Sequence, residues 1–229
     1  SLFQLKMSSA GPARLVAAYG GIAYLVYLET SGFSRTSPLL SSLPLIALSI
    51  FTLLTTMQPQ AKLCTSLSFA LAATSIYIQS VAWSPLSFAA LFVVAGNMMY
   101  FLSFQHLIRE WSIPMGIVSG LYLVFFSFLC FTDLFFSIPT LVCCLFLGLG
   151  SAVFLVFASG SLVHCGSKDE DTNAQASVLR LVGGIVEIAC VSMFIYSAFN
   201  QRHETTIFLY RLLEYVAHGL FFLANEREF

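Results

Sequence analysis

The sequence predicts an all-α protein, a polytopic membrane bundle of eight transmembrane helices with both termini in the cytosol. Two features of the composition support this fold class. Of the 229 residues, 58% are hydrophobic and only 9% are charged, and the mean hydropathy is +0.87. A soluble domain carries about 25% charged residues, so this chain lacks the groups that an aqueous surface needs. We therefore expect a single transmembrane domain over residues 1–229, in an integral multi-pass membrane protein.

Eight apolar stretches are long enough to cross a bilayer, which takes about 20 residues in a helix. Proline stands at the entry of several of these stretches, where its missing N–H breaks no helical hydrogen bond. The connections are short, except for the polar stretch 166–177, which reads as an aqueous loop. The predicted spans lie near 12–29, 38–57, 62–80, 85–104, 113–131, 138–163, 178–199 and 205–224.

The placement of lysine and arginine predicts the orientation, because cytosolic loops of membrane proteins are enriched in both residues. With eight spans, Arg35 and Arg202 fall on the side opposite the termini, and seven others fall on the side of the termini. Both termini are therefore expected in the cytosol. The seven are Lys6, Arg14, Lys62, Arg109, Lys168, Arg180 and Arg227.

Charge and motif content argue against several classes of function. The net charge is -1 and the sequence has no lysine- or arginine-rich run, so no nucleic-acid partner is expected. The six cysteines lack the spacing of a zinc site, and HExxH, GxSxG and P-loop motifs do not occur. We therefore expect neither a metal nor a cofactor.

Ionisable side chains inside the predicted spans are the strongest functional signal, because a charge at the bilayer centre costs about 3 kcal/mol or more. Glu187 lies in the apolar stretch GGIVEIACV, and Arg211, Glu214 and His218 share one face of the eighth span. The helical rise places Glu187, Glu214, His218 and Asn97 at similar depths in the cytosolic half of the membrane. The predicted pairs are Glu187 with His218 and Glu214 with Arg211.

Several interpretations of this cluster stay open from the residues alone. Buried ion pairs often do no more than satisfy each other and hold helices in register. The same groups suit a cavity that binds a ligand or lipid. If the chain is an enzyme, the catalytic residues are Glu187, Glu214 and His218. Transport is the weakest alternative, because no paired interrupted helices and no internal repeat are found.

Short motifs in the spans keep aromatic and small residues at characteristic spacings. The fourth span reads NMMYFLSF, with Asn97 and Tyr100; the seventh reads GGIVEIACVSMFIYSAF, with Gly183 and Phe199; the eighth contains EYVAH, with Tyr215. These motifs resemble the YhhN-type integral membrane lysoplasmalogenases. The resemblance extends from the second span to the eighth and implies eight short-looped spans.

The ionisable positions of that family are replaced in this chain. Ser41 stands where the family has a lysine, Thr74 and Val191 stand where it has aspartates, and Asn97 stands where it has a histidine. Glu187 lies one helical turn before Val191, on the same face. Glu187 is therefore either an acid that has moved by one turn or part of a new ion pair.

The resemblance implies action on lysoplasmalogen, whose vinyl ether is hydrolysed to a fatty aldehyde and a glycerophospho-alcohol. This chemistry needs an acid that protonates an alkene carbon and a positioned water. Because the ionisable positions are replaced together, we expect that catalysis has been lost. The expected role is that of a lipid-binding or accessory membrane subunit. The expected partners are a membrane lipid and a partner membrane protein. The alternative is an active lysoplasmalogenase with a relocated acid. The expected ligand cavity is lined by Thr74, Asn97, Tyr100, Arg211 and Tyr215.

Overall fold

The structure, a computed structural model, describes residues 11–33, 37–81, 85–168, 173–199 and 204–229. Within these ranges the regular structure is helical, apart from one isolated β-bridge between Ile108 and Ser167. A short 3-10 turn, Gln105–Leu107, follows the fourth helix. The helices are α1 (Pro12–Glu29), α2 (Pro38–Leu54), α3 (Pro59–Ser80), α4 (Leu86–Phe104), α5 (Ile113–Phe131), α6 (Pro139–Cys165), α7 (Ala174–Phe199) and α8 (Glu204–Glu228).

Each predicted span coincides with one of these helices, which confirms the all-α fold class. Six of them, α3 to α8, are long and apolar enough to cross a membrane. They support an integral multi-pass membrane protein. Of the other two, α2 has only 17 residues, and α1 carries Arg14 and Glu29 near its ends. Three of the charges that predict the orientation, at positions 6, 35 and 202, lie outside the described residues.

Two helices extend beyond their predicted limits. α7 begins at Ala174 rather than near 178, because the Asn173 side chain accepts a hydrogen bond from Gln175 N (2.9 Å) and caps the first turn. α8 continues to Glu228 rather than ending near 224, because its polar last turn packs against buried Arg180. Polar residues that find partners in the bundle therefore prolong a helix past the end of its apolar pattern.

The helices form one bundle, in which α8 has both a buried and an exposed face. Sequence neighbours pack together from α1 to α4 and from α6 to α8, α4 packs on α6, and α8 contacts α1, α2 and α3 as well as α7. α5 stands at the periphery against α6 and exposes Ile117, Leu121, Phe125 and Phe128. An apolar exterior of this kind suits a hydrocarbon surrounding rather than water.

Two glycines set the position of the middle of α7. A Cβ atom added to Gly183 would lie 2.8 Å from the Phe221 ring on α8, and one added to Gly184 would lie 2.9 Å from Val156 on α6. Because neither glycine has a side chain, the α7 backbone approaches both neighbouring helices closely. Glu187, one turn further along, is therefore held in the interior of the bundle.

Candidate functional site

Glu187 and Glu214 line one small cavity in the middle of the bundle. Glu187 lies near the middle of α7 and is 4% exposed, and Glu214 on α8 is 6% exposed. The cavity measures about 20 Å³, which is room for one water molecule. Gln79 of α3 adds a polar wall, and apolar residues of α4 and α6 complete the lining. The structure therefore brings both predicted acids together.

The carboxylate of Glu214 is bound by Arg211. Arg211 Nη1 lies 2.9 Å from Glu214 Oε2, and both side chains are almost fully buried. Arg211 Nη2 also donates to Ser80 Oγ (3.2 Å), and its guanidinium lies 5.2 Å from the centre of the Tyr210 ring. The predicted pairing of these two residues is confirmed, and it compensates the charge of Glu214.

Glu187 has no comparable partner in the described ranges. Its Oε2 atom is buried and accepts no hydrogen bond within the part of the chain that the structure describes. The predicted pairing with His218 is wrong, because His218 Nδ1 bonds the carbonyl oxygen of Glu214 (2.8 Å). The imidazole lies edge-on against Phe69 and Phe221, each at 5.9 Å between ring centres. His218 is thus satisfied by its own helix and by aromatic packing.

The cavity lies farther from the chain termini than the depth count predicted. Gln79 and Ser80 are the last two residues of α3, at the end of the bundle where α7 ends and α8 begins. The depth count assumed a later start of α7 and an earlier end of α8. Because α7 begins earlier and α8 ends later than predicted, Glu187 and Glu214 lie near the middles of these two helices. The contact of Arg211 with Ser80 extends toward the end of the bundle where α7 ends and α8 begins.

Most of the predicted cavity-lining residues serve other contacts. Asn97 Nδ2 donates to Ser151 Oγ (3.0 Å) and joins α4 to α6. Tyr215 Oη donates to the carbonyl oxygen of Ser41 (2.6 Å) and joins α8 to α2, and Tyr215 also lines a large groove between α1 and α8. Thr74 bonds a carbonyl of its own helix (2.9 Å) and faces a groove between α2 and α3. Arg211 is the one of the five that lies beside the acids.

A second buried polar cluster, which the sequence analysis missed, is centred on Arg180 and Asn225. Asn225 Oδ1 accepts hydrogen bonds from Arg180 Nε (3.1 Å) and Nη2 (3.0 Å). Asn225 Nδ2 donates to Thr65 Oγ1 (2.6 Å) and Ser103 Oγ (2.8 Å). Tyr100, predicted to line the ligand cavity, belongs here instead, with its Oη 3.4 Å from Asn225 Oδ1. The cluster ties α3, α4, α7 and α8 together.

This second cluster is saturated with partners. Arg180 is fully buried, its Nη1 lies 3.4 Å from Glu228 Oε2, and its guanidinium lies 4.9 Å from the centre of the Phe104 ring. A fully satisfied polar network fixes helix register and leaves no group free to bind a ligand. The signal that could have revealed it is the pair Asn225 and Glu228, two polar residues one turn apart at the end of α8.

A much larger cavity lies on the outside of the bundle, between α1 and α8. This groove has a volume of about 490 Å³ and opens at the surface. Tyr19 Oη donates to the carbonyl oxygen of Tyr215 (2.7 Å), so this phenol is used in joining the two helices. The walls are almost entirely apolar and aromatic, and include Gly20, Ala23, Tyr24, Tyr27, Phe208, Leu212 and Val216.

Neither a metal centre nor a known relative helps to assign the site. The described residues contain no group of three or more His, Cys, Asp or Glu side chains that could hold a metal ion. Comparison with family models, with curated proteins and with solved structures gave no match for this chain. Its cavities and buried charges are therefore the basis for a functional assignment.

Proposed function

We propose that this chain is a lysoplasmalogenase-like membrane protein that binds a membrane lipid and has lost catalysis. In this proposal all eight helices cross the membrane and both termini are cytosolic. One observation supports it most directly. The acids Glu187 and Glu214 face a cavity of about 20 Å³, whereas a groove that can receive an acyl chain lies elsewhere, between α1 and α8, and measures about 490 Å³. An acid that no lipid reaches cannot protonate a vinyl ether.

A lipid acyl chain is the occupant that the groove suits. The bundle exposes apolar side chains on its outside, so the groove opens toward hydrocarbon. In such surroundings, selection among lipids comes from shape and close contact rather than from removal of apolar surface from water. Tyr24 and Tyr27 stand near the end of α1, and tyrosines are common at the level of lipid head groups. The accessory role extends to a partner membrane protein, for which α5 offers a peripheral apolar surface.

A second candidate function rests on the missing partner of Glu187. An active lysoplasmalogenase needs one carboxyl that gives a proton and another group that positions water. Arg211 pairs with Glu214, whereas Glu187 faces the same cavity with a buried oxygen that has no partner among the described residues, so the two carboxyls stand in different surroundings, as such chemistry requires. The cavity would have to open for substrate to enter.

Aldehyde release from lysoplasmalogen by the purified protein separates these two functions. An active member of the resembled family serves as the positive control, and Glu187→Gln tests the acid. We expect that this chain releases no aldehyde under conditions in which the control is active. Release that disappears in Glu187→Gln would overturn it and support the second function.

Lipid binding is tested by filling the groove. Gly20 lines the groove, while its neighbour Gly21 does not, and an added Cβ meets no atom within 4 Å at either position. Gly20→Phe is expected to reduce the lipid that copurifies with the protein, as measured by mass spectrometry, and Gly21→Phe is expected to leave it unchanged. Equal lipid retention in both variants would count against the groove as the binding site.

A further inference from the structure

A second small cavity continues from the one beside Glu187 toward the end of the bundle. It measures about 40 Å³ and shares Gln79, Phe194 and Tyr210 with the first cavity. Its other walls include Ser197, near the end of α7, and residues from the starts of α4 and α8. The two cavities therefore follow one another from the middle of the bundle to the end where α7 ends and α8 begins.

Two buried oxygen atoms in the walls lack hydrogen-bond partners among the described residues. They are Gln79 Oε1 and Glu187 Oε2. Gln79 Nε2 donates to Ser75 Oγ (3.1 Å), which leaves the amide oxygen as the unused end of the side chain. An amide oxygen and a carboxylate oxygen both accept hydrogen bonds, so each calls for a donor. A cavity of more than about 15 Å³ with such polar walls holds a water molecule, which supplies two donors.

Among the residues that the structure describes, no cation pairs with Glu187. On α8 it faces Glu214, which Arg211 already neutralises, and the ring of Tyr210. On its own helix, Cys190 Sγ donates to the Tyr210 carbonyl oxygen (3.2 Å). α3 contributes the uncharged Gln79 noted above, and the α4 and α6 walls are apolar: Ala90, Val93, Leu145 and Gly148. A proton is therefore the cation that can neutralise Glu187 in this cavity.

We propose that the two cavities hold water and form one hydrated passage through which Glu187 exchanges a proton with the aqueous phase. The second cavity reaches Ser197 and Ala198 in the last turn of α7, so we place the opening at the end of the bundle where α7 ends and α8 begins. A hydronium at this opening passes a proton along the water chain, and the O–H bond of the last water breaks as the Glu187 O–H bond forms. The net change is one proton taken from solution, and no other bond is altered. This inference is independent of lipid binding and of catalysis.

The proton site is tested by infrared difference spectroscopy on the protein reconstituted in liposomes, with the pH lowered stepwise. A protonated carboxyl has a carbonyl stretch that a carboxylate lacks and that shifts in heavy water. We expect such a band in the wild type, its loss in Glu187→Gln, and a shifted band in Glu187→Asp. Glu226→Gln, which changes a half-buried carboxyl of α8, is expected to keep the band. No band that depends on Glu187 at any pH would overturn the proposal.

The passage is tested by the rate at which the same band responds to heavy water. Ser197→Val places extra methyl groups in the second cavity, and Ser192→Val makes the same change on the same helix outside both cavities. The two serines are equally buried, at 7% and 8% exposure. Ser197→Val is expected to slow deuteration about tenfold or more, because proton transfer needs an unbroken hydrogen-bonded path. Equal rates in the two variants would exclude this route.

Discussion

Arg211 and Glu214 form a buried ion pair one turn apart on α8, with 2.9 Å between Nη1 and Oε2. Across the same cavity, Glu187 on α7 has a buried carboxyl oxygen with no partner among the described residues. The two glutamates thus occupy one cavity in opposite electrostatic situations. Glu214 has a compensating cation, whereas Glu187 has none among the described residues.

The two glutamates are therefore expected to respond oppositely to the same substitution. Glu214→Met leaves Arg211 buried without an anion and is expected to lower the free energy of unfolding by about 3–5 kcal/mol. Glu187→Met removes an unpaired polar group and is expected to leave stability unchanged or to raise it by about 1 kcal/mol. Unfolding by denaturant in detergent measures both. Equal destabilisation would mean that Glu187 has a stabilising partner.

Removing both members of the ion pair is expected to cost less than removing either one. Arg211→Met leaves Glu214 uncompensated, so a loss of about 3–5 kcal/mol is expected, whereas the double variant Arg211→Met/Glu214→Met buries neither charge. The same denaturant titration gives the interaction energy of the pair. Arg227→Met is the control: Arg227 is exposed, so a loss below about 0.5 kcal/mol is expected. Additive losses in the double variant would contradict the pairing.

Asn225 is expected to be the most sensitive asparagine of the bundle. Asn225→Leu leaves the Arg180 guanidinium with unsatisfied donors and is expected to cost about 3 kcal/mol or more. Asn97→Leu, the matched change on α4, breaks the hydrogen bond to Ser151 and is expected to cost about 1 kcal/mol. Thermal unfolding followed by size-exclusion chromatography compares them. The reverse order of sensitivity would show that the Asn225 cluster does not hold the bundle.

The close approach of α7 to α6 predicts a steric penalty at Gly184. A methyl group added there lies 2.9 Å from Val156 Cγ2, so Gly184→Ala is expected to lower the free energy of unfolding by about 1–3 kcal/mol. Gly150→Ala on α6 is the control, because an added Cβ meets no atom within 4 Å, and no loss is expected. Stability measured in detergent checks both, and an unaffected Gly184→Ala would mean that α6 and α7 can separate without cost.

The fold and part of the site could be predicted from local patterns. The positions of the helices follow from apolar stretches with proline at their entries, and the Arg211–Glu214 pair follows from a spacing of three residues on one helix. The pairing of Glu187 with His218 was wrong because it joined two helices by estimated depth alone. The positions of Tyr100, Asn97 and Tyr215 could not be foreseen either, because each bonds to a residue far away in the sequence.

By itself, the sequence determined that this protein is an all-α bundle with apolar helices suited to a membrane, and that ionisable groups lie within it. Those properties depend on composition and on periodicity along one helix, which neighbouring residues settle. Only the tertiary structure decided that Glu187 Oε2 has no partner in the described part of the chain, that Arg180 and Asn225 bind each other, and that the large groove lies away from the acids. Contacts between helices depend on how far each helix extends and on which face it turns inward. Glycines and polar capping residues control helix length and orientation, and the pattern of apolar residues along the chain does not show their effects.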